Sequence, residues 1–326
     1  MKKIFITGGA GYVGSSLVPK LLSLGYKVTV FDLMIYGIDV LPDHENLTIV
    51  KGDIRNTELL EKNLIGIDIV IHLACISNDP SFELNPELGK SINYDAFEPL
   101  VQISLKNKVS RFIYASSSSV YGIKTEQNVT EDMKLEPLTD YSKFKGECEK
   151  ILNSYKSDQF ITTTIRPSTV CGFAKRQRLD LVVNILTNHA FHNREIKVFG
   201  GEQLRPNVHI TDMVDSYLAV LDADPKKING EIFNVGFKNQ TVNELAEDVK
   251  IVIGNDVKIT NTKTNDNRSY HVSSQKIKDI LGFQTKYTIK DAVKDLKLAF
   301  EKKLLLDTFN NEFYFNIKRM NNIKLK

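Results

Sequence analysis

Cysteine is scarce in this sequence. Cys75, Cys148 and Cys171 are its three cysteines in 326 residues, and their odd number and wide spacing are typical of reduced thiols rather than of a disulfide framework. They have neither zinc-site nor C-x-x-C spacing, and the six histidines form no H-x-x-x-H or H-E-x-x-H pattern. We therefore expect a cytoplasmic protein without a bound metal.

Long apolar runs and dense blocks of charge are missing as well. No apolar stretch approaches the roughly 20 residues of a membrane span, and the three apolar residues before the first glycine are too few for a signal peptide. The formal net charge is only +3, and no dense basic block precedes the C-terminal stretch. These absences predict that neither a membrane nor a nucleic acid is a partner.

The first stretch that carries chemistry lies at residues 4–22. Residues 4–6 form a short apolar run with β-branched and aromatic side chains, which predicts a buried strand. Glycines follow at 8, 9, 11 and 14, and the amphipathic residues 15–22 predict a helix. In this context G-x-G-x-x-G is typical of dinucleotide binding, because the turn lets the backbone approach a diphosphate and the helix N-terminus attracts its charge.

Asp32 supports the same interpretation. It ends the predicted second strand, eighteen residues after Gly14, near the spacing at which a carboxylate meets the adenosine ribose. A carboxylate there accepts a hydrogen bond from the 2′-hydroxyl and repels a 2′-phosphate, so NAD is favoured over NADP. The alternative is an aspartate that only caps a turn at the strand end.

Strand and helix signals alternate as far as Pro167, which predicts an α/β fold, a Rossmann-type doubly wound parallel sheet over residues 1–167. From 168 to 310 helical stretches alternate with short strands, and we expect a smaller, mixed α/β substrate-binding domain. Strands near 196–199 and 232–235 are expected to exchange between the two domains. Residues 311–326 form a polar, basic tail that either packs on the body or frays.

Tyr141 and Lys145 form a Y-x-x-x-K pattern at the start of a predicted helix. Residues four apart share a helix face, so the ammonium group is expected to lower the pKa of the phenol and make it a general base. Ser117 follows a predicted strand 24 residues upstream, and its hydroxyl could bridge the reacting oxygen. The alternatives are a solvated helix face and a polar loop that caps the strand.

Together these motifs resemble the extended short-chain dehydrogenases/reductases, specifically the nucleotide-sugar epimerase and dehydratase group that contains UDP-glucose 4-epimerase-like enzymes. The resemblance extends from Ile4 to about Leu298. The residues that carry it are T-G-G-A-G-Y-V-G at 7–14, Asp32, G-D-I at 52–54, H-L-A at 72–74, Ser117 with V-Y-G at 120–122, Tyr141 with Lys145, and R-P at 166–167.

The resemblance implies NAD as the cofactor and Ser117, Tyr141 and Lys145 as the catalytic residues. It gives Asp53 and Ile54 contacts with the adenine, and Asn93 the task of steadying the catalytic lysine. The implied NAD-binding residues are Gly8, Gly11, Tyr12, Val13, Gly14, Asp32, Asp53, Ile54, Leu73, Ala74, Asn93, Tyr141 and Lys145.

The resemblance also implies a nucleotide-diphospho-sugar substrate. Arg205 and Arg268 match the positions that clamp the substrate diphosphate, which two guanidinium groups can bind with paired hydrogen bonds. For each arginine the alternative is an ordinary surface ion pair. Further predicted substrate contacts are Ser77, Ser118, Ser119 and Arg178.

The resemblance narrows the reaction. Dehydratases of the group carry an Asp-Glu pair directly after the catalytic Ser or Thr, and the decarboxylases carry a Glu at the second position, but here Ser118 and Ser119 stand there. We expect an epimerase that works through a transient 4-keto sugar. Ser77 stands where many 4-epimerases have a cofactor-binding lysine, and the resemblance therefore leaves the tight retention of NAD open. Two alternatives to the epimerase stay open: a 4-dehydrogenase that releases a keto sugar, and a non-catalytic NAD sensor.

The resemblance further implies a homodimer. In the family, helices that match residues 87–108 and 141–155 pair with their copies in a second chain to form a four-helix bundle. An apolar stripe on both helices would support the same arrangement here.

Overall fold

The computed structural model describes residues 2–126, 128–264, 269 and 271–325. The strands in this part of the chain are β1 Lys3–Thr7, β2 Lys27–Asp32, β3 Leu47–Lys51, β4 Ile69–His72, β5 Arg111–Ala115, β6 Ile161–Pro167, β7 Thr169–Cys171, β8 Glu195–Phe199, β9 Leu204–His209, β10 Glu231–Val235, β11 Lys238–Thr241 and β12 Lys258–Thr262. None of the described helices is long and apolar enough to span a bilayer.

The helices are α1 Gly14–Ser23, α2 Thr57–Leu64, α3 Asp79–Glu83, α4 Pro86–Lys90, α5 Phe97–Lys106, α6 Asp140–Ser154, α7 Val182–Asn193, α8 Ile210–Asp222, α9 Pro225–Ile228, α10 Val242–Ile253, α11 Gln275–Leu281, α12 Ile289–Glu301 and α13 Asn316–Ile323. A π-helical turn at Ser91–Asp95 joins α4 to α5. The stretch expected to be helical over 87–108 is therefore helical from Pro86 to Lys106, with one wide turn inside it.

Seven parallel strands form the central sheet in the order β10-β6-β5-β4-β1-β2-β3. Every residue of β4 is buried, as expected for a strand covered by helices on both faces. The strand order reverses between β1 and β4, and in such sheets ligands bind at the carboxyl ends of the strands beside this reversal. The predicted Rossmann-type α/β fold is confirmed.

The second half of the chain contributes two small sheets, β11-β9-β7 and β12-β8. Helices α7, α10 and α12 share an apolar core with β8. Although β10 lies beyond residue 167, it pairs with β6 in the large sheet. The boundaries of the two domains stay a prediction.

The C-terminal segment packs on the large domain. Met320 of α13 is 5% exposed and lies in the same apolar cluster as Phe31 and Ile54. The guanidinium Nε of Arg319 donates to the carbonyl of Ile35. Of the two alternatives for the tail, the packed one is therefore observed in the described residues.

A buried ion pair joins β6 to α6, the helix that carries Tyr141 and Lys145. Arg166 of β6 donates to both carboxylate oxygens of Glu149 of α6, with Nη2–Oε2 at 2.6 Å and Nε–Oε1 at 3.0 Å. Both side chains are less than 5% exposed. Ser116 donates to the same carboxylate, and Arg166 also donates to the hydroxyl of Tyr121 at 2.6 Å. The pair thus fixes the segment after β5 against α6 and β6.

We predict that Glu149→Gln destabilises the fold by about 3–5 kcal/mol, because it leaves the buried guanidinium of Arg166 without its counter-charge. Urea unfolding would measure the change. The matched control is Glu147→Gln on the same helix, where the carboxylate is 39% exposed and pairs with Lys150. An exposed pair of this kind contributes about 0.5 kcal/mol or less, so equal losses in the two variants would contradict the prediction.

Candidate active site

A cavity of about 370 Å³ opens at the carboxyl ends of the central strands. It brings together the glycine turn after β1, the ends of β2 and β4, the serines after β5 and the start of α6. Of the residues predicted to hold the cofactor or substrate, those that line it are Gly8, Gly11, Tyr12, Val13, Gly14, Asp32, Asp53, Ile54, Leu73, Ala74, Ser77, Ser117, Ser118, Ser119, Tyr141, Lys145 and Arg178.

The glycine turn is shaped by close approach of backbone to backbone. Gly8 has a φ of +73°, and a Cβ there would lie 2.5 Å from the nitrogen of Ala74, so only glycine fits. A Cβ on Gly14 would collide with the backbone of Gly9. No side chain in the described part of the sequence caps the start of α1, which leaves its first N–H groups for an anion.

Tyr12 is turned away from this anion site. Its hydroxyl donates to the carbonyl of Gly172 at 2.6 Å and accepts from Nδ2 of Asn184 at 3.0 Å. Burial raises the pKa of the Tyr12 phenol well above its usual range. Its side-chain oxygen therefore ties the glycine turn to the second half of the chain.

Asp32 is held rigidly at the end of β2. Its Oδ2 accepts from the backbone N–H of Ala10 at 3.0 Å, and its Oδ1 accepts from Met34 at 2.8 Å. Burial raises the pKa of the carboxyl group, while these two bonds and the charge of Arg176 act in the opposite direction. The carboxylate thus lies beside the glycine turn, where a ribose hydroxyl can reach it.

The predicted adenine pocket has a charged and an apolar wall. Asp53 pairs with Arg55 at 2.6 Å; although burial acts to raise the pKa of Asp53, the bonds with Arg55 outweigh it and the pKa is lowered. Ile54 is 5% exposed and packs in the cluster that contains Phe31 and Met320. A flat apolar ring fits between such walls.

Tyr141 and Lys145 lie close together on α6, as the sequence predicts. The ammonium group donates to the carbonyl of Ala115 at 2.7 Å and lies 5.9 Å from the centre of the Tyr141 ring. The pKa of Tyr141 is nevertheless raised well above its usual range, first by burial and then by Cys75 and Asp79. The prediction that the pKa of Tyr141 is lowered is therefore wrong. The charge of Arg178 and the backbone N–H of Asn78 act to lower this pKa, but burial outweighs them.

A chain of hydroxyl groups runs from Ser117 to a carboxylate. The Oγ atoms of Ser117 and Ser119 lie 2.8 Å apart, Ser142 donates to Ser119 at 2.8 Å, and Thr139 bridges Ser142 at 3.0 Å and Asp79 at 2.6 Å. These bonds orient the hydroxyl of Ser117. They also hold Ser119, so its hydroxyl is not free for a sugar alone.

Asp79 follows the predicted substrate contact Ser77 by two residues and lines the cavity beside Tyr141. The sequence N-D-P at residues 78–80 is typical of a helix start. In the structure Asn78 has a φ of +75° and caps α3 through Ser81. This turn carries Asp79 into the cavity.

Two other predicted residues lie apart from the cavity. Asn93 accepts from the N–H of Ile76 at 2.8 Å and donates to its carbonyl at 2.9 Å, so its side chain steadies the segment after β4 and does not bond to Lys145. Arg205 lies on β9, where Nη1 donates to the carbonyl of Leu204. Arg268 lies outside the described residues. The diphosphate clamp by Arg205 and Arg268 stays a prediction.

Arg178 is the predicted substrate arginine that reaches the cavity. It is 7% exposed; its Nε and Nη2 donate to Asp180 at 2.9 and 3.1 Å, and its Nη1 donates to Ser77 at 3.1 Å.

Nowhere in the described ranges are three His, Cys, Asp or Glu side chains gathered as a metal site requires. The three cysteines are unpaired.

A glycine turn before α1, a carboxylate at the end of β2, and a serine, a tyrosine and a lysine around one cleft define a dinucleotide-dependent enzyme of the short-chain dehydrogenase/reductase class. The sequence profile described as the NAD dependent epimerase/dehydratase family matches residues 4–236. The chain belongs to this family and is an NAD-dependent enzyme of the extended type. The predicted family and cofactor are confirmed.

Individual relatives agree with this assignment. A UDP-glucose 4-epimerase of Lactobacillus helveticus is 28% identical over 312 residues, which cover 89% of this chain and 94% of that protein. The structure of UDP-N-acetylglucosamine 4-epimerase from Methanobrevibacter ruminantium M1 in complex with UDP-N-acetylmuramic acid is similar with a TM-score of 0.85 at 25% identity, covering 93% of this chain and 99% of that one. MoeE5 in complex with UDP-glucuronic acid and NAD gives 0.81 at 25% identity, covering 92% and 99%.

The residues present fit NAD. Gly8 and Gly14 leave no room for side chains between the turn and its neighbours, the start of α1 lacks a side-chain cap within the described residues, and Asp32 fixes its carboxylate beside the turn. A diphosphate and a ribose need these three features.

We predict opposite pH shifts for two charges near Tyr141. A general base acts as the phenolate, so the rate rises with pH until the pKa of Tyr141 is passed. Asp79 raises that pKa and Arg178 lowers it. Asp79→Asn should therefore move the rise in kcat to lower pH, and Arg178→Gln should move it to higher pH.

The measurement is the pH dependence of kcat for each variant with its sugar substrate. Asp95→Asn serves as the control, because this carboxylate is 49% exposed and pairs with Lys90 on the surface. Shifts of the same sign in Asp79→Asn and Arg178→Gln would contradict the assignment of Tyr141 as the base.

Proposed function

We propose that the protein is an NAD-dependent nucleotide-diphospho-sugar epimerase that acts through a transient 4-keto sugar. The observation that carries this proposal is the hydrogen bonding after β5. Ser117 faces the cavity with Tyr141, while Ser119, at a position where dehydratases and decarboxylases carry a carboxylate, is a hydroxyl bonded to Ser117 and Ser142. Such a site can move a hydroxyl proton but offers no acid–base pair there for expelling water.

The chain's own groups divide the proton chemistry. Tyr141 takes the proton of the sugar hydroxyl and returns it, and Ser117 donates a hydrogen bond to the reacting oxygen as negative charge develops. Lys145, held by the carbonyl of Ala115, keeps a positive charge beside the phenolate. NAD, when bound, supplies a reversible hydride acceptor. Burial of Tyr141 keeps bulk water away from the reacting oxygen.

Asp79 does not restore a dehydratase site. It lies in the cavity, but its Oδ1 accepts from Thr139 at 2.6 Å and ends the hydroxyl chain that orients Ser117. We assign it a positioning role in the epimerase and not the role of an acid that protonates a departing hydroxyl group.

The proposed substrate is a nucleotide-diphospho-sugar, with Ser77, Ser118, Ser119, Arg178, Arg205 and Arg268 as its contacts. The names of the relatives support this class, since the two epimerases act on UDP-glucose and UDP-N-acetylglucosamine and MoeE5 was solved with UDP-glucuronic acid. Arg178 lies between Ser77 and Asp180 beside Tyr141, where a guanidinium group can meet an anionic group of the substrate.

A 4-dehydrogenase that releases the keto sugar is the second candidate. The observation that favours it is Ser77, which stands where many 4-epimerases carry a cofactor-binding lysine and is here bonded to Arg178 and Asn316. A weakly held cofactor could leave in its reduced form after one oxidation.

We predict that the purified protein retains NAD and isomerises one nucleotide-sugar without net formation of NADH. Nucleotide released by denaturation would be measured first. Native enzyme would then be incubated with UDP-, GDP-, CDP- and TDP-sugars, and products would be separated by chromatography. Accumulation of NADH with one sugar would make the protein a dehydrogenase and overturn the epimerase proposal.

Tyr141→Phe provides the control for this assay, because it removes the phenolic base and keeps the ring. We expect the variant to lose activity by at least a hundredfold and to retain NAD. Full binding of NAD with no activity in either the natural chain or the variant would favour the sensor.

We further propose a cytoplasmic homodimer in which two helical stretches, α4–α5 and α6, pair with their copies in a four-helix bundle. Leu105 of α5 is 41% exposed, and Phe144 of α6 stacks on Tyr94 at 5.0 Å near the surface. Multi-angle light scattering should give twice the chain mass of 36.9 kDa. Leu105→Glu should shift the mass to that of one chain, whereas exposed Leu298→Glu on α12 should not; a monomeric natural chain would refute the dimer.

A further inference from the structure

Arg176 carries a buried charge that the described residues only partly satisfy. The side chain is 3% exposed and lines the cavity. Its Nη2 donates to Oδ1 of Asn316 at 2.5 Å, and the guanidinium carbon lies 3.6 Å from the centre of the Tyr36 ring. Neither Nε nor Nη1 has a hydrogen-bond partner among the described residues.

Burial lowers the pKa of Arg176 to about 10, so the group is still charged near neutral pH. A buried charge with two unpartnered donor nitrogens is unfavourable unless an anion meets it. Arg178 differs in this respect, because Asp180 binds it through two hydrogen bonds. The unmet donors of Arg176 therefore indicate a binding site for an anion.

The position of Arg176 identifies which anion. Its backbone N–H donates to Oγ of Ser15 at 3.2 Å, and Ser15 lies in the first turn of α1. Its charge also acts on the carboxyl group of Asp32. The backbone of Arg176 therefore adjoins the first turn of α1, while its guanidinium charge acts on the aspartate expected to bind the ribose. In this fold the diphosphate of the dinucleotide lies at the start of that helix, next to the ribose.

Asn316 positions the arginine. It is 3% exposed, and its Oδ1 accepts from the hydroxyl of Tyr36 at 2.9 Å as well as from Arg176. Its Nδ2 donates to Oγ of Ser77 at 3.0 Å, and its backbone N–H donates to Asp180 at 3.1 Å. One side chain at the start of α13 therefore fixes the guanidinium, the ring on which it stacks and the segment after β4.

We propose that Arg176 binds the diphosphate of NAD, and that Asn316 of the C-terminal helix holds the arginine in place. The charge of the arginine then neutralises the diphosphate together with the start of α1. The inference concerns the cofactor alone and is independent of which sugar the enzyme uses.

The test measures binding to protein freed of nucleotide. Arg176→Gln should weaken the binding of NAD and of ADP-ribose by the same factor, about tenfold to a hundredfold, as expected for the loss of a charge-assisted hydrogen bond. The affinity for adenosine should change by less than about twofold. Arg176→Lys should recover part of the loss. Isothermal titration calorimetry gives the dissociation constants of NAD and ADP-ribose, and competition with ADP-ribose gives that of adenosine.

The melting temperature of the nucleotide-free protein separates this role from a structural one. Because Arg176→Gln removes an unmet buried charge, the melting temperature should stay equal or rise while affinity for NAD falls. Arg111→Gln is the matched control: Arg111 is 6% exposed, and its guanidinium donates to the carbonyls of Val220, Leu221 and Ala223. This variant should melt lower and keep the affinity for ADP-ribose.

A double-mutant cycle tests Asn316. Asn316→Ala should weaken the binding of ADP-ribose to the natural chain. It should have little further effect on that binding in the Arg176→Gln variant, because Asn316 acts through the arginine. The proposal is overturned if Arg176→Gln weakens the binding of UDP but not that of ADP-ribose, or if it weakens the binding of adenosine as much as that of ADP-ribose. It is also overturned if the melting temperature and all the affinities fall together.

Discussion

The arrangement of the active site depends on the buried pair of Arg166 and Glu149. Glu149 lies one turn after Lys145 on α6, and its carboxylate also accepts from Ser116, the residue before Ser117. The pair therefore sets the distance between the helix that supplies the tyrosine and lysine and the segment that supplies the serine. Because both charges are shielded from water, loss of the pair would displace Ser117 and Tyr141 and would also destabilise the fold.

The two halves of the cleft beside this ion pair depend on different physical features. The cofactor half depends on backbone shape: positive φ at Gly8, contact too close for a side chain at Gly14, and open N–H groups at the start of α1. The half that holds Tyr141 depends on side chains whose pKa values are set by burial and by nearby charges. Asp79 raises the pKa of Tyr141 and Arg178 lowers it, so a change in either residue alters the proton affinity of the phenol.

The parts of the molecule that the sequence predicted are those with local signals. The strand, glycine turn and helix at residues 3–23, the carboxylate at Asp32 and the i, i+4 pair of Tyr141 and Lys145 each lie within a short stretch. The predicted direction of the pKa shift of Tyr141 was wrong, because burial outweighs the nearby positive charge. A local sequence pattern carries no information on how deeply the phenol is buried.

The contacts that the sequence did not predict join residues that are far apart in the chain. Asp79 meets Thr139 across 60 positions, Arg176 meets Asn316 across 140, and Tyr36 meets Asn316 across 280. Asn316 itself lay in a stretch whose polar, basic composition resembled a tail. Contacts of this kind are fixed by how the second half of the chain folds over the first, and hydrophobic periodicity carries no information on that.

The same contact across 280 positions has a consequence for synthesis of the protein. Strands β1 to β6 and the glycine turn emerge from the ribosome long before Asn316, and they can begin to fold as they emerge. Tyr36, Ser77 and Arg176 acquire their shared partner only after α13 has left the exit tunnel. Maturation of the nucleotide cleft is therefore a late event in biogenesis, and a ribosome that stalls after residue 300 would display a nearly complete sheet with an unfinished cofactor site.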